Sequence, residues 1–157
     1  MRITTHTTLI FLITLCGNIS IVSARSDIHV PLPLENAVTA YEGKGVKAFI
    51  PALYGTPQKS NSNLEILNGT SILIKVEKLY GNYIGLEIID GLQISDSTRT
   101  IFFIMKYQRG PLYGVITTYK SSDNKEETVI EFKIHTERQQ IIPINILSKY
   151  ADYSKHG

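Results

Sequence analysis

The chain has 157 residues, 43% of them hydrophobic and 19% charged, with 16 basic side chains against 14 acidic ones. This near balance excludes a broad cationic surface for nucleic acid, so any RNA contact has to be local. The length suits one domain, and a single cysteine, Cys16, excludes a disulfide framework.

In chain order, the first element is a leader. Arg2 is the only charge before Ala24, Leu9–Leu15 is a short apolar core, and Val22, Ser23 and Ala24 stand where a signal peptidase reads. The apolar run falls far short of the roughly 20 residues a membrane helix needs. Residues 1–24 therefore read as a secretory signal and 25–157 as a single mature domain, with a C-terminal extension from about 136. Removing the leader removes Arg2 and Cys16. The remaining 133 of the 157 residues carry 15 basic and 14 acidic groups and no thiol. A domain of that size buries roughly two-thirds of its unfolded surface, enough for one core. It is expected to be soluble and indifferent to a reducing compartment.

After an extended, proline-rich lead-in, Leu34, Ala37, Val38 and Tyr41 repeat at helical spacing, with Pro33 at the start and Gly43 and Gly45 at the stop. The spacing predicts one N-terminal helix. Residues 63–67 and 71–76 are apolar runs around Asn68-Gly69-Thr70, which predicts a hairpin. Asn68 is also a glycosylation acceptor by its Asn-X-Thr pattern. Four more strands are expected at residues 82–90, 99–107, 112–120 and 127–135, with turns at 108–111 and 121–124. Turns this close imply an antiparallel meander. Ile101–Met105 is apolar at every position and should be central. In the last strand, Thr128, Ile130, Phe132 and Ile134 alternate with Val129, Glu131, Lys133 and His135, predicting one more polar face. Ile141–Leu147 is apolar with Pro143 inside it, which suits a segment capping an edge or the open face; from Ser148 a short helix or a frayed tail follows. The fold expected is α+β, one N-terminal helix packed on an antiparallel sheet.

Four stretches carry a resemblance: "LENAVTAYEGKG" (34–45), "FIPALY" (49–54), "GLEIIDG" (85–91) and "STRTIFF…LYGVITTY" (97–119). In this order they resemble the helix, the Tyr-Pro-His segment, the glutamate strand, and the arginine and Gly-Val-Ile-Thr-His strands of the small guanyl-specific ribonucleases of fungi. The chain looks closer still to the ribonuclease-like effectors that powdery mildew fungi secrete. The resemblance implies a microbial ribonuclease-like fold, delivery to the cytoplasm of a plant cell, and action by binding. The implied partners are a host protein, an intracellular immune receptor (avirulence), or host RNA at the ribosome. A membrane partner is not implied, and a monomer is expected.

That family cleaves RNA with a carboxylate that takes the 2′ proton, a histidine that protonates the leaving oxygen, and an arginine that balances phosphoryl charge. Residue by residue, the glutamate falls on Glu87 and the arginine on Arg99. The two histidines fall on Thr118 and Ala52, and the neighbouring tyrosine falls on Ile50. A threonine hydroxyl cannot replace an imidazole near neutral pH, and losing one general acid removes about 10²–10⁴-fold in rate. The chain thus reads as a pseudo-ribonuclease with Glu87 and Arg99 as remnants, or as a plain cross-strand ion pair. His29, His135 and His156 lie at ends or on the surface. No cofactor and no metal site are expected. The binding candidates are Tyr54, Arg99, Tyr119 and Lys120, beside turns. Tyr80, Tyr83, Tyr107 and Tyr113 lie in similar places, where tyrosine is also common as a half-buried edge residue. Two alternatives stay open: an active secreted guanyl-preferring ribonuclease with another acid, and an unrelated secreted β-rich binding domain.

Overall fold

The structure is a computed structural model that describes residues 28–55, 62–123 and 126–151. The leader with Cys16, and His156, lie outside the described residues. Helix α1 spans Leu32–Lys44. Leu34, Ala37 and Tyr41 bury one stripe, Glu35 and Lys44 complement the helix dipole at its two ends, and Gly45 stops it at φ 82°. After a 3₁₀ turn at Val46–Ala48, α2 (Phe49–Tyr54) buries Phe49, Ile50 and Leu53.

The next segment corrects the expected hairpin. Residues Ser62–Tyr80 form one helix, α3. Gly69, Leu73, Val76 and Tyr80 are spaced by four, three and four residues, one face of a helix, and Leu73 and Val76 are buried. Gly69 serves close packing and makes no turn: a Cβ there would lie 3.0 Å from Ile50 Cδ1 of α2. The continuous apolar run at residues 72–74 fits either period, and contact with α2 decides for the helix. The single N-terminal helix is therefore corrected to three helices ahead of the sheet.

The sheet is the expected meander. Strands β1 (Tyr83–Ser95), β2 (Thr98–Tyr107), β3 (Gly110–Lys120) and β4 (Glu127–His135) lie in chain order, all neighbours antiparallel. Two-residue turns at Asp96–Ser97 and Gln108–Arg109 join the first three. Arg109 anchors its turn to the end of α3 by donating to the Leu79 carbonyl from Nε (3.1 Å) and Nη2 (2.8 Å). β2 and β3 pair without a break. β1 breaks register against β2 at three places, between Tyr83 and Gly85, Ile88 and Asp90, and Gln93 and Ser95.

Along β2 the two faces separate cleanly. Ile101, Phe103, Met105 and Tyr107 join Leu34, Ile50 and Leu73 in the main core under α1, α2 and α3. Gly114 of β3 lies under the Phe103 ring, which would collide with any Cβ at that position. Phe102 and Val115 face the other way and meet Ile141, Ile142 and Ile146 in a smaller core. The last of these lies on α4 (Ile144–Ala151), so the C-terminal segment caps the open face as a helix. In β4 the expected alternation is corrected. Thr117 pairs with Glu131 and Thr118 with Val129, which leaves Ile130 as an extra residue. Val129, Phe132 and Ile134 therefore pack on the main core, and Ile130 is 59% exposed.

Candidate functional site

At the end of the sheet where β2 begins and β3 finishes there is a cleft of about 410 Å³, within the size range of small-ligand sites. His29 and Leu32 line it from the N-terminal segment, Asp96 and Ser97 from the β1–β2 turn. Arg99, Lys120, Glu126 and Glu127 line it from β2, β3 and the start of β4. Arg99 is its centre. The guanidinium donates to Glu127 Oε2 (2.7 Å) through Nη2 and to the His29 carbonyl (3.0 Å) through Nη1. The pair is largely sheltered, with side-chain exposures of 17% and 18%. A charge-assisted bond of this length is among the stronger kinds. Arg99 Nε is buried and has no hydrogen-bond partner.

Thr118 stands directly opposite Arg99 on β3, on the same face. It is 1% exposed, and its hydroxyl is buried without a partner. This is the position on which the ribonuclease resemblance places a histidine acid. Lys120 pairs in register with Glu127 and is exposed. The lining holds three acidic and two basic side chains besides His29, so the cleft carries no cationic excess for a polyanion.

The remnants named from sequence do not form a site. Glu87 pairs with Ile104, five residues along β2 from Arg99, which is roughly 16 Å at about 3.3 Å per residue. Five is odd and β2 is regular, so Glu87 and Arg99 point to opposite faces. Lys106 Nζ lies 3.7 Å from Glu87. The expected Glu87–Arg99 pairing is therefore corrected: the carboxylate beside Arg99 is Glu127. Ala52 sits on α2 and not on a strand. Among the binding candidates the structure brings Arg99 and Lys120 together. Tyr119 is 41% exposed, but alternation along β3 sends it to the face opposite Lys120. Tyr54 is half-buried against the main core at the end of α2. Asn68 is exposed on α3, so its acceptor pattern lies on a helix surface.

Sequence reasoning missed Glu127 and His29. Each depends on contacts between distant segments, Glu127 standing 28 positions along the chain from Arg99 and His29 standing 70. The one local signal was an acidic residue opening β4 across from the last residue of β3.

The tyrosines collect at the other end of the sheet. Tyr41 and Tyr83 pack with centroids 4.5 Å apart and ring planes tilted 33°, and Tyr83 meets Tyr107 edge-on at 5.9 Å. The Tyr41 hydroxyl donates to Glu77 Oε1 (3.3 Å) and lies 3.5 Å from the Tyr107 hydroxyl. Burial, reinforced by Glu42 and Tyr107, pushes the Tyr83 phenol up to about 12. Burial also raises Tyr41 and Tyr107. Tyr83 and Tyr107 thus belong to the interior and do not offer faces for base stacking. Among the described residues no group of three His, Cys, Asp or Glu is placed to hold a metal ion, and no helix is long and apolar enough to cross a membrane. Compared with known protein families, curated proteins and solved structures, the chain matches none.

Proposed function

We propose that this chain is a secreted effector of ribonuclease-like plan that acts by binding and does not cleave RNA. Its partner would be a host plant protein or an immune receptor in the plant cytoplasm. The observation that carries the non-catalytic reading is the state of the residues at the family's catalytic positions. Thr118 is buried where an imidazole would have to reach solvent, and Glu87 and Arg99 lie on opposite faces of the sheet. Arg99 is already engaged by Glu127 and a backbone carbonyl, so it has a structural task that needs no substrate.

A second reading is an unrelated β-rich binding domain with the same mode of action. The helical state of residues 49–54 and the opposed faces of Glu87 and Arg99 favour it. Both readings forecast the same assay. The purified chain is incubated with total RNA and with a guanosine-containing dinucleotide, and no cleavage is expected. Cleavage that vanishes in a His29→Gln variant would overturn both, since His29 is the one imidazole lining the Arg99 cleft among the described residues. Binding is read separately: a plant protein retained by the wild-type chain is expected to be lost with Lys120→Glu. Retention unchanged by that substitution would move the binding surface away from the cleft.

A further inference from the structure

β4 is an outer strand. Its backbone pairs with β3, and among the described residues no strand pairs with its other side. An open edge of this kind is a template for another strand. The opposite outer strand, β1, is broken in register three times, and its Asp90 holds Lys149 of α4 at 2.9 Å. β4 has one irregularity, at Ile130, and then runs regularly from Glu131 to His135.

Glu131 and Lys133 project from that regular stretch on the face opposite α1, α2 and α3, with side chains 44% and 65% exposed. Their own ion pair lies along the strand, at 2.5 Å. Glu131 is also held from the sheet: Thr117 donates its hydroxyl to Oε2 (3.2 Å), which leaves Thr100 to donate to Thr117 (2.9 Å). A carboxylate and an ammonium are thus set two residues apart on an edge that no described strand covers.

We propose that β4 pairs antiparallel with β4 of a second copy of this chain, about a two-fold axis at Phe132. In this register Glu131 of each copy stands opposite Lys133 of the other. Directly opposed side chains in antiparallel strands lie about 4.5–5.5 Å apart, within reach of an ion pair. Moving the axis to Glu131 or to Lys133 sets like charges against each other, which disfavours those registers. The charge pattern therefore selects a copy of itself as the partner and selects one alignment. The axis runs perpendicular to the sheet, so the helices of both copies lie on the same face of one continuous sheet. This departs from the monomer expected from the sequence.

Analytical ultracentrifugation over a concentration series tests the proposal. The wild-type chain is expected to double in mass as concentration rises. Glu131→Lys and Lys133→Glu each set two like-charge pairs across the axis, and each is expected to weaken self-association about tenfold or more. An equal mixture of the two variants brings each like-charged strand against its opposite and is expected to restore the dimer. Circular dichroism checks that both variants fold; Glu131→Gln, which keeps an acceptor for Thr117, is a milder substitute expected to weaken the dimer less. A wild-type chain that stays monomeric throughout, reversals that leave association unchanged, or a mixture that fails to reassociate would each overturn the proposal. None of these outcomes bears on RNA cleavage, so this inference and the functional reading fail separately.

Discussion

The two ends of the helix-covered sheet face handle polar groups differently. Tyr107 closes one end of β2 and Arg99 the other, eight residues and roughly 26 Å apart at about 3.3 Å per residue. At the tyrosine end, rings fill the space and the polar atoms stay neutral. Burial keeps the phenols of Tyr41, Tyr83 and Tyr107 protonated well above ordinary pH. At the cleft end, an ion pair lies close to solvent. Each end also leaves polar atoms unsatisfied, the Tyr83 hydroxyl at one and Arg99 Nε with the Thr118 hydroxyl at the other. The difference teaches that an unpaired polar atom matters by its surroundings. Beside aromatic rings it is tolerated as the tip of a large apolar side chain. Beside a cleft it sits with residues able to meet a ligand.

The largest expected effect joins the two ends. Phe103 is fully buried midway along β2 and stacks on Phe132 at 6.3 Å. Phe103→Ala should destabilise the fold by about 3–5 kcal/mol in urea melts. A loss confined to one end, seen by hydrogen exchange, would mean that the ends fold independently. Next is Glu127→Ala, which leaves a sheltered guanidinium with only the His29 carbonyl. It should cost about 1.5–3 kcal/mol, measured in the same way. Thr118→His puts an imidazole at a buried position with no room for it. It should cost about 1–3 kcal/mol by overpacking and add no ribonuclease activity.

Alkaline pH tests the tyrosine end through Tyr83. Tyr83 ionises at about 12 in the folded chain and near 10 when unfolded. Its protonated form is favoured by folding, so this contribution is complete below about pH 10 and is lost as pH rises toward 12. The phenolate absorbance owed to Tyr83, read as the difference between wild type and Tyr83→Phe, should therefore change together with far-ultraviolet circular dichroism in that window. Independent ionisation without unfolding would contradict the burial. The smallest effects are Tyr83→Phe and Thr118→Val, each of which removes a buried hydroxyl with no partner. Both should leave thermal stability within about 1 kcal/mol of wild type or raise it slightly. A clear loss from either would reveal a hydrogen bond at that end.

The sheet was legible in the sequence because β2, β3 and β4 announce themselves through apolar runs and close turns. The observed bounds of β4, Glu127–His135, coincide with those expected. The facing of β4 was not legible, since one extra residue at Ile130 reverses the alternation and only the partner strand reveals it. α3 was misread because Asn68-Gly69 is a strong local turn signal, overridden by the packing of Gly69 against Ile50. At the cleft, Arg99 and Lys120 were named from sequence. The carboxylate beside Arg99 is Glu127 and not the Glu87 that the resemblance offers, because strand register decides which distant carboxylate meets a guanidinium.

The three register breaks of β1 bear on how far assembly can proceed. If two chains join through their β4 edges, the sheet that results has only β1 strands at its margins. An irregular margin is a poor seed for further strands, so growth would stop at a closed pair and would not run on into filaments. A chain that lost those irregularities while keeping its β4 charges would be free to polymerise.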